Sequence, residues 1–421
     1  MLSLHAARTP PPHPAAARIG LAVAGGGPVG AMYELGALRA LDEACDGLDL
    51  TRLDCYVGVS SGAFFAAGLA NHMDTAELCR IFITGDSHDV RFRPEVFLRP
   101  ALAEYLRRVA SIPRLATRLA RDLASGRGDS GWSDLLNRIG SLVPTGLFDN
   151  AEIEHFLRDV FTRNGRSNDF RKLDQPLYVI AVDLDSGEAV RFGDTGWDDV
   201  PISRAVQASA ALPGLYPPVE LPDRNGQTRH FVDGALRRTM HASVVLERDI
   251  DLLLGVNPLV PFNPGSDAGD DLQAHRFGDR RIAQGGLPGV LSQTLRTMLQ
   301  SRMQVGLARY PQQYPQIDQL VFEPNAADRE LFYTNIFSYS ARRRICQLGY
   351  RNTLTDLRER RGQLEPLLAR HGIRLREDVI ADRPRSIIAH LPPARRGTAA
   401  TARLERALDD IEHRLQRRDM V

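Results

Sequence analysis

Ser60 stands at the centre of Gly58-Val59-Ser60-Ser61-Gly62, directly after the apolar run Cys55-Tyr56-Val57 and directly before Ala63-Phe64-Phe65-Ala66-Ala67-Gly68-Leu69. A free serine hydroxyl is a weak nucleophile that gains reactivity from a base and from placement. A G-x-S-x-G bend between a strand and a helix supplies the placement. Gly58 and Gly62 carry no side chain to crowd the turn, so the Ser60 oxygen projects from the end of a sheet. The helix that follows turns amide hydrogens and positive dipole toward developing negative charge. By itself the pattern is of moderate specificity. A chain with 35 glycines can form it by accident, and a helix-capping turn with Ser60 or Ser61 as cap gives the same letters.

A second glycine-framed loop, Gly25-Gly26-Gly27-Pro28-Val29-Gly30, follows the apolar run Ile19–Ala24. Three adjacent glycines let backbone amides approach a reacting oxygen without interference from Cβ atoms, and losing one such donor costs about 3 kcal/mol of transition-state stabilisation. Gly25, Gly27 and Gly30 also fit the dinucleotide pattern G-x-G-x-x-G, with Asp49 near the place of a ribose-binding acid. That alternative stays open, though it leaves Ser60 unexplained. Asp233-Gly234, after the short apolar run Phe231-Val232, offers a general base at a strand end; the same dipeptide also makes ordinary turns. His230 and His241 flank Asp233, while His88 and His155 lie elsewhere, and none sits in a segment typical of a catalytic histidine. No His, Cys, Asp and Glu cluster has metal-ligand spacing, so neither a metal nor another cofactor is expected.

These pieces, with Ala208-Ser209-Ala210-Ala211-Leu212-Pro213-Gly214-Leu215-Tyr216-Pro217-Pro218 between the second and the last, occur in an order that resembles the patatin-like phospholipase family of acyl hydrolases. The resemblance runs over about residues 19–257, and the segment Tyr33-Glu34-Leu35-Gly36-Ala37-Leu38 after the glycine loop suggests a bacterial subgroup. It implies Ser60 as nucleophile and Asp233 as its sole partner, a Ser-Asp dyad without histidine. It further implies Gly25, Gly26 and Gly27 as the oxyanion hole, Gly58 and Gly62 as the nucleophile elbow, and Gly30 and Gly234 as supporting positions. The implied substrate is a lipid or other acyl ester, phospholipid or lysophospholipid first; a polyester or wax is not excluded. One departure concerns charge: the family's loop usually has Arg or Lys just before its last glycine, where this chain has Val29.

Positioning such groups requires strands that end at the two loops. Ile19–Ala24 and Cys55–Val57 read as buried strands, with a helix between them carrying Met32, Leu35, Leu38 and Leu41. Further strands are expected at 177–182, 188–192, 230–232, 252–256 and 320–322, and helices at about 290–308 and 338–360. The expected architecture is α/β: a patatin-like three-layer α/β/α domain with a largely parallel core sheet, a helical insertion and a helical C-terminal extension. The organisation reads as a disordered Pro-rich tail (1–18), a catalytic domain (19–257) with an arginine-rich insertion (about 86–149), an extension (258–383) with a loop at 263–289, and a linker with a terminal amphipathic helix (384–421).

The formal charge of +1 gives no reason to expect nucleic acid as a partner, and Lys172 is the only lysine beside a large arginine excess. Residues 99–124 suit peripheral contact with a lipid surface, and Leu404, Leu408, Ile411 and Leu415 suit pairing of copies through the last helix. Four cysteines without a framework fit a reducing, cytoplasmic setting. The sequence shows neither a secretory signal nor an apolar run long enough to span a membrane.

Overall fold

The computed structural model describes residues 2–7, 17–87, 92, 95, 97, 99–101, 145–259, 286–325, 339–389 and 391. In chain order they form β1 (Leu2–His5), β2 (Ile19–Val23), α1 (Gly27–Ala44), β3 (Cys45–Asp46), β4 (Cys55–Val59), α2 (Ser61–Ala70), α3 (Thr75–Cys79) with a π-helical turn at Arg80–Thr84, α4 (Ala151–Phe161), β5 (Leu177–Asp183), β6 (Ala189–Phe192), α5 (Ile202–Ser209), β7 (Val219–Pro222), β8 (Thr228–Asp233), α6 (Ser243–Leu246), β9 (Leu252–Val256), α7 (Gly286–Gln313), β10 (Asp318–Phe322), α8 (Tyr339–Glu359), α9 (Arg361–Ala369), β11 (Arg374–Leu375) and α10 (Glu377–Ile380).

The main sheet runs β1-β10-β9-β2-β4-β5-β8-β7, with β6 also paired to β5. Its centre, β10 through β5, is parallel, and antiparallel strands finish both ends. Central strands are apolar on both faces, as expected where helices cover a parallel sheet. Alternate side chains feed two cores: Leu21, Val23 and Tyr56 enter one with α1 and α2, while Ala22, Val57 and Val59 enter the other with α6 and part of α7. The result is the three-layer α/β/α arrangement expected from the sequence.

Three boundaries differ from expectation. Residues 2–5 are a strand, not a tail: Leu2 through His5 pair with β10, and Leu2 is buried. The proline content that argues for disorder begins only at Pro10, and residues 8–16 lie outside the described set. Residue 257 is not an end either, because β10 adds to the sheet beside β9 and α8 lies against α1. The two helices touch backbone to backbone; a Cβ on Gly36 would stand 2.0 Å from the Cys346 carbonyl oxygen, and one on Gly349 2.3 Å from that of Tyr33. Packing also continues past 384: Ile387 is fully buried, and Arg385 meets both Glu43 and the Tyr350 hydroxyl at 2.8 Å. Residues 102–144, the 263–285 part of the expected loop and the terminal apolar stripe lie outside the described residues, so the insertion, its lipid contact and the pairing helix do too. No described helix is long and apolar enough to cross a membrane.

Candidate active site

Strand register brings Ser60 and Asp233 together. β6 pairs with Val179–Val182 along one side of β5. On the other side β4 pairs up to Val59 opposite Ile180, and β8 pairs from Asp233 opposite Ala181. Two strands therefore share one edge of β5 and end against each other at the Ile180–Ala181 step. The residue after Val59 is Ser60, and its Oγ donates to Asp233 Oδ2 at 2.7 Å. Gly234 completes the junction: a Cβ there would lie 2.2 Å from the Ile180 carbonyl oxygen.

Ser60 has φ 51° and ψ −120°, a backbone state that costs of order 1–3 kcal/mol for a residue with a side chain. Its surroundings enforce that state. Its N–H donates to Ser209 Oγ at 2.8 Å, and Ser209 Oγ donates onward to the Ile180 carbonyl at 2.5 Å. The glycines of the elbow are there for closeness: a Cβ on Gly62 would meet the Val23 carbonyl oxygen at 2.4 Å, and one on Gly58 the Ala63 Cα at 2.5 Å. Ser209 was visible in the sequence only as a letter in a motif, without a role; the structure gives it one.

Asp233 is 3% exposed and has both oxygens engaged, Oδ2 by Ser60 and Oδ1 by the Ala235 N–H at 2.9 Å. Burial pushes its carboxyl up to about 6, against the opposing pull of those two hydrogen bonds. A carboxyl titrating there is ionised at neutral pH yet basic enough to receive a proton. His241 Nε2–H donates to the Gly234 carbonyl at 3.4 Å, and burial holds its pKa down at about 3, so at neutral pH it is the uncharged imidazole with that N–H turned to the backbone. His230 lies on the surface near Asp185 and Glu220. His155 is half-exposed on α4, and His88 lies outside the described residues.

The triple glycine abuts Ser60: a Cβ on Gly25 would stand 3.0 Å from the Ser60 Cβ. Two of its three amides, however, have acceptors inside the protein. Gly25 N–H donates to the Thr239 carbonyl at 3.0 Å, and Gly26 N–H to Ser61 Oγ at 2.8 Å. This corrects the expectation that all three amides serve an oxyanion, because an N–H has one hydrogen to give. Gly27 N–H heads α1, where no intrahelical acceptor exists. Gly30 N–H bonds the Gly26 carbonyl and closes the helix start. Asp49 does not join this loop. It precedes β4 and binds Thr51, whereas the loop follows the other end of the parallel strand β2. A ribose-binding acid there would lie across the sheet from the phosphate it must accompany.

The family model for patatin-like phospholipase matches residues 21–246. The chain belongs to the patatin-like phospholipase family. The matched span contains Gly25–Gly30, Ser60, Ser209 and Asp233, and it implies lipid acyl hydrolysis as the family's chemistry. Among solved structures the chain is similar to VipD from Legionella pneumophila, at 18% identity over 66% of this chain and 55% of that one, TM-score 0.31. It is also similar to a chain of the full-length SpcU–ExoU complex from the type III secretion system of Pseudomonas aeruginosa, at 15% identity over 72% and 54%, TM-score 0.24. The chain spans about half the length of each. No curated protein matches it.

This patatin-like site opens into a cavity of about 350 Å³ with mostly apolar walls. Met32, Phe64, Phe82, Phe92, Phe97, Leu215 and Leu299 line it together with Ser60, Ser61 and Asp233. Val29 is part of the apolar wall where the family's loop usually has a cation. Arg342, from the first turn of α8, is the cation among the described lining residues, and its guanidinium lies 5.8 Å from the Phe92 ring centre. Sequence reading carried no residue of α8 into the site, since nothing local links position 342 to position 60.

Proposed function

We propose that this chain hydrolyses fatty-acyl esters, phospholipid or lysophospholipid, through a covalent acyl-Ser60 intermediate. Asp233 takes the Ser60 proton as Oγ attacks the ester carbonyl carbon. The carbonyl oxygen becomes an oxyanion facing amides at the heads of two helices, Gly27 N–H on α1 and Ser61 N–H on α2. The tetrahedral adduct collapses, the C–O bond to the alcohol breaks, and Asp233 returns the proton to the leaving oxygen. Water then attacks the acyl carbon, gives its proton to Asp233, and the fatty acid leaves as Ser60 regains its hydrogen. The observation that carries this reading is the 2.7 Å contact between Ser60 Oγ and a buried carboxylate in the lining of a mostly apolar cavity. Arg342 in that cavity favours substrates bearing negative charge near the ester over neutral waxes or polyesters. Peripheral lipid contact through residues 99–124 and self-association through the terminal helix belong to the same proposal.

The test combines a fluorophosphonate probe with product profiling on phospholipid, lysophospholipid and neutral-ester vesicles. Wild type is expected to be labelled and to release fatty acid, and Ser60→Ala to do neither, with activity lower by about 10⁴-fold or more. Fatty acid released by Ser60→Ala at the wild-type rate would remove the nucleophile assignment.

A further inference from the structure

Next to Ser60, a second serine touches a second buried carboxyl. Ser61 Oγ accepts from Gly26 N–H at 2.8 Å and donates to Glu34 Oε1 at 3.0 Å. Glu34 lies two turns into α1, fully buried, with its Oε2 buried and without a hydrogen-bond partner. Its Oε1 would be 3.1 Å from a Cβ on Gly26, so the glycine loop rests directly on this carboxyl.

We infer that Glu34 and Ser61 form a positioning relay that locks the oxyanion loop to the nucleophile elbow. Three facts carry this. Gly26 caps α1 without a side chain, so it has no hydroxyl or carboxylate of its own to fix the loop. Ser61 supplies the missing acceptor from the neighbouring helix, and it is the residue bonded to Ser60. One hydroxyl therefore sets the distance between the attacking oxygen and the amide of Gly27, the next residue along the loop. Displacements well under an ångström at such a junction are felt in rate, since donors must meet the oxyanion within hydrogen-bond range. Glu34 in turn holds the rotamer of Ser61 by accepting its hydrogen.

The carboxyl serves this purpose best uncharged. Its second oxygen has no partner, and an ionised pair of oxygens behind the loop would oppose the developing oxyanion. Burial raises its pKa well above the ordinary carboxylate range, with the Ser61 hydrogen bond pulling the other way. A neutral acid and a glutamine amide present the same acceptor oxygen to Ser61, which gives a direct test.

The relay rests on the acyl-Ser60 reading, and the experiment separates the two. Ser61→Ala, Glu34→Ala and Glu34→Gln are assayed on a p-nitrophenyl fatty-acyl ester beside Ser60→Ala. The readouts are kcat, KM and the inhibition constant of a fatty trifluoromethyl ketone, whose adduct carries the oxyanion. Ser61→Ala and Glu34→Ala should lower kcat roughly 10- to 100-fold with KM within about threefold, and weaken the ketone by a similar factor. Glu34→Gln should restore kcat to within about threefold of wild type. Should Glu34→Ala fail to fold, Ser61→Ala and Glu34→Gln still decide. A wild-type kcat in Ser61→Ala, or a Glu34→Gln enzyme as impaired as Ser61→Ala, would overturn the relay. An inactive Ser60→Ala in the same plate would keep the nucleophile assignment in either case.

Discussion

Residues 60 and 61 are both serine, and each hydroxyl meets a buried carboxyl group, at 2.7 Å in Ser60–Asp233 and 3.0 Å in Ser61–Glu34. Only one pair has the geometry proposed for attack. Ser60 occupies the strained elbow with φ 51°, whereas Ser61 is the first residue of α2. Ser61 Oγ accepts from Gly26 N–H, so one lone pair is already held by an amide. Asp233 ends a strand and has both oxygens satisfied; Glu34 sits inside a helix with one oxygen unsatisfied. A serine beside a carboxylate is thus not yet a nucleophile. What separates the two is the backbone bend that holds the hydroxyl, strained at Ser60 and helical at Ser61, and whether the acid has both oxygens held by donors.

Exchanging each acid for its amide breaks the comparison most sharply. Asp233→Asn removes the proton acceptor and should lower kcat by about 10³-fold or more, as loss of a general base in a two-residue unit does. Glu34→Gln should leave most of it. Equal losses in steady-state assays of the two variants would erase the distinction drawn between the pairs.

The pH profile gives the next largest effect. Asp233 must be ionised to act as base, and burial puts its pKa at about 6. The rate should therefore be level above neutrality and fall as pH drops through about 6, approaching tenfold per unit well below it. Ser61→Ala should reduce the plateau without moving this limb. A wild-type profile flat down to pH 4 would mean that Asp233 is not the group accepting the proton.

How much of this was legible in the letters depends on range. The two loops are local patterns, and Gly58, Ser60 and Gly62 lie where β4 (Cys55–Val59) gives way to α2 (Ser61–Ala70). Their meeting with Asp233, 173 residues away, is set by where β4 and β8 stop along β5, which no short pattern encodes. The same limit hid β1: Leu2–His5 has two apolar residues and needs β10, over 300 positions on, to become a strand. Glu34 offered a faint signal, an acid in a helix whose other neighbours are small or apolar, and only its contact with Ser61 gives it meaning. The amides show the opposite case. The glycine run suggests three oxyanion donors because glycine permits approach; which amides are left for a ligand depends on Thr239 and Ser61, supplied from elsewhere.

The smallest expected effect concerns stability and has a definite sign. An acid whose folded pKa is raised binds its proton more tightly in the native state than in the unfolded chain. Stability from this group is therefore full below pH about 3.8 and declines as pH rises toward about 6, above which the loss is constant. A rise of about two pKa units corresponds to a cost of ~3 kcal/mol at pH 7 for keeping Asp233 ionised and buried. Asn at this position carries no charge and can still accept from the Ala235 N–H. Asp233→Asn should therefore unfold at higher denaturant than wild type at pH 7 to 8, by ~1–3 kcal/mol, with the gap closing below pH 4. Equilibrium denaturation at the two pH values measures it directly. A variant that gains nothing at neutral pH would imply that the Ser60 and Ala235 hydrogen bonds offset desolvation, and would move the acid limb of the rate profile below 6 with it.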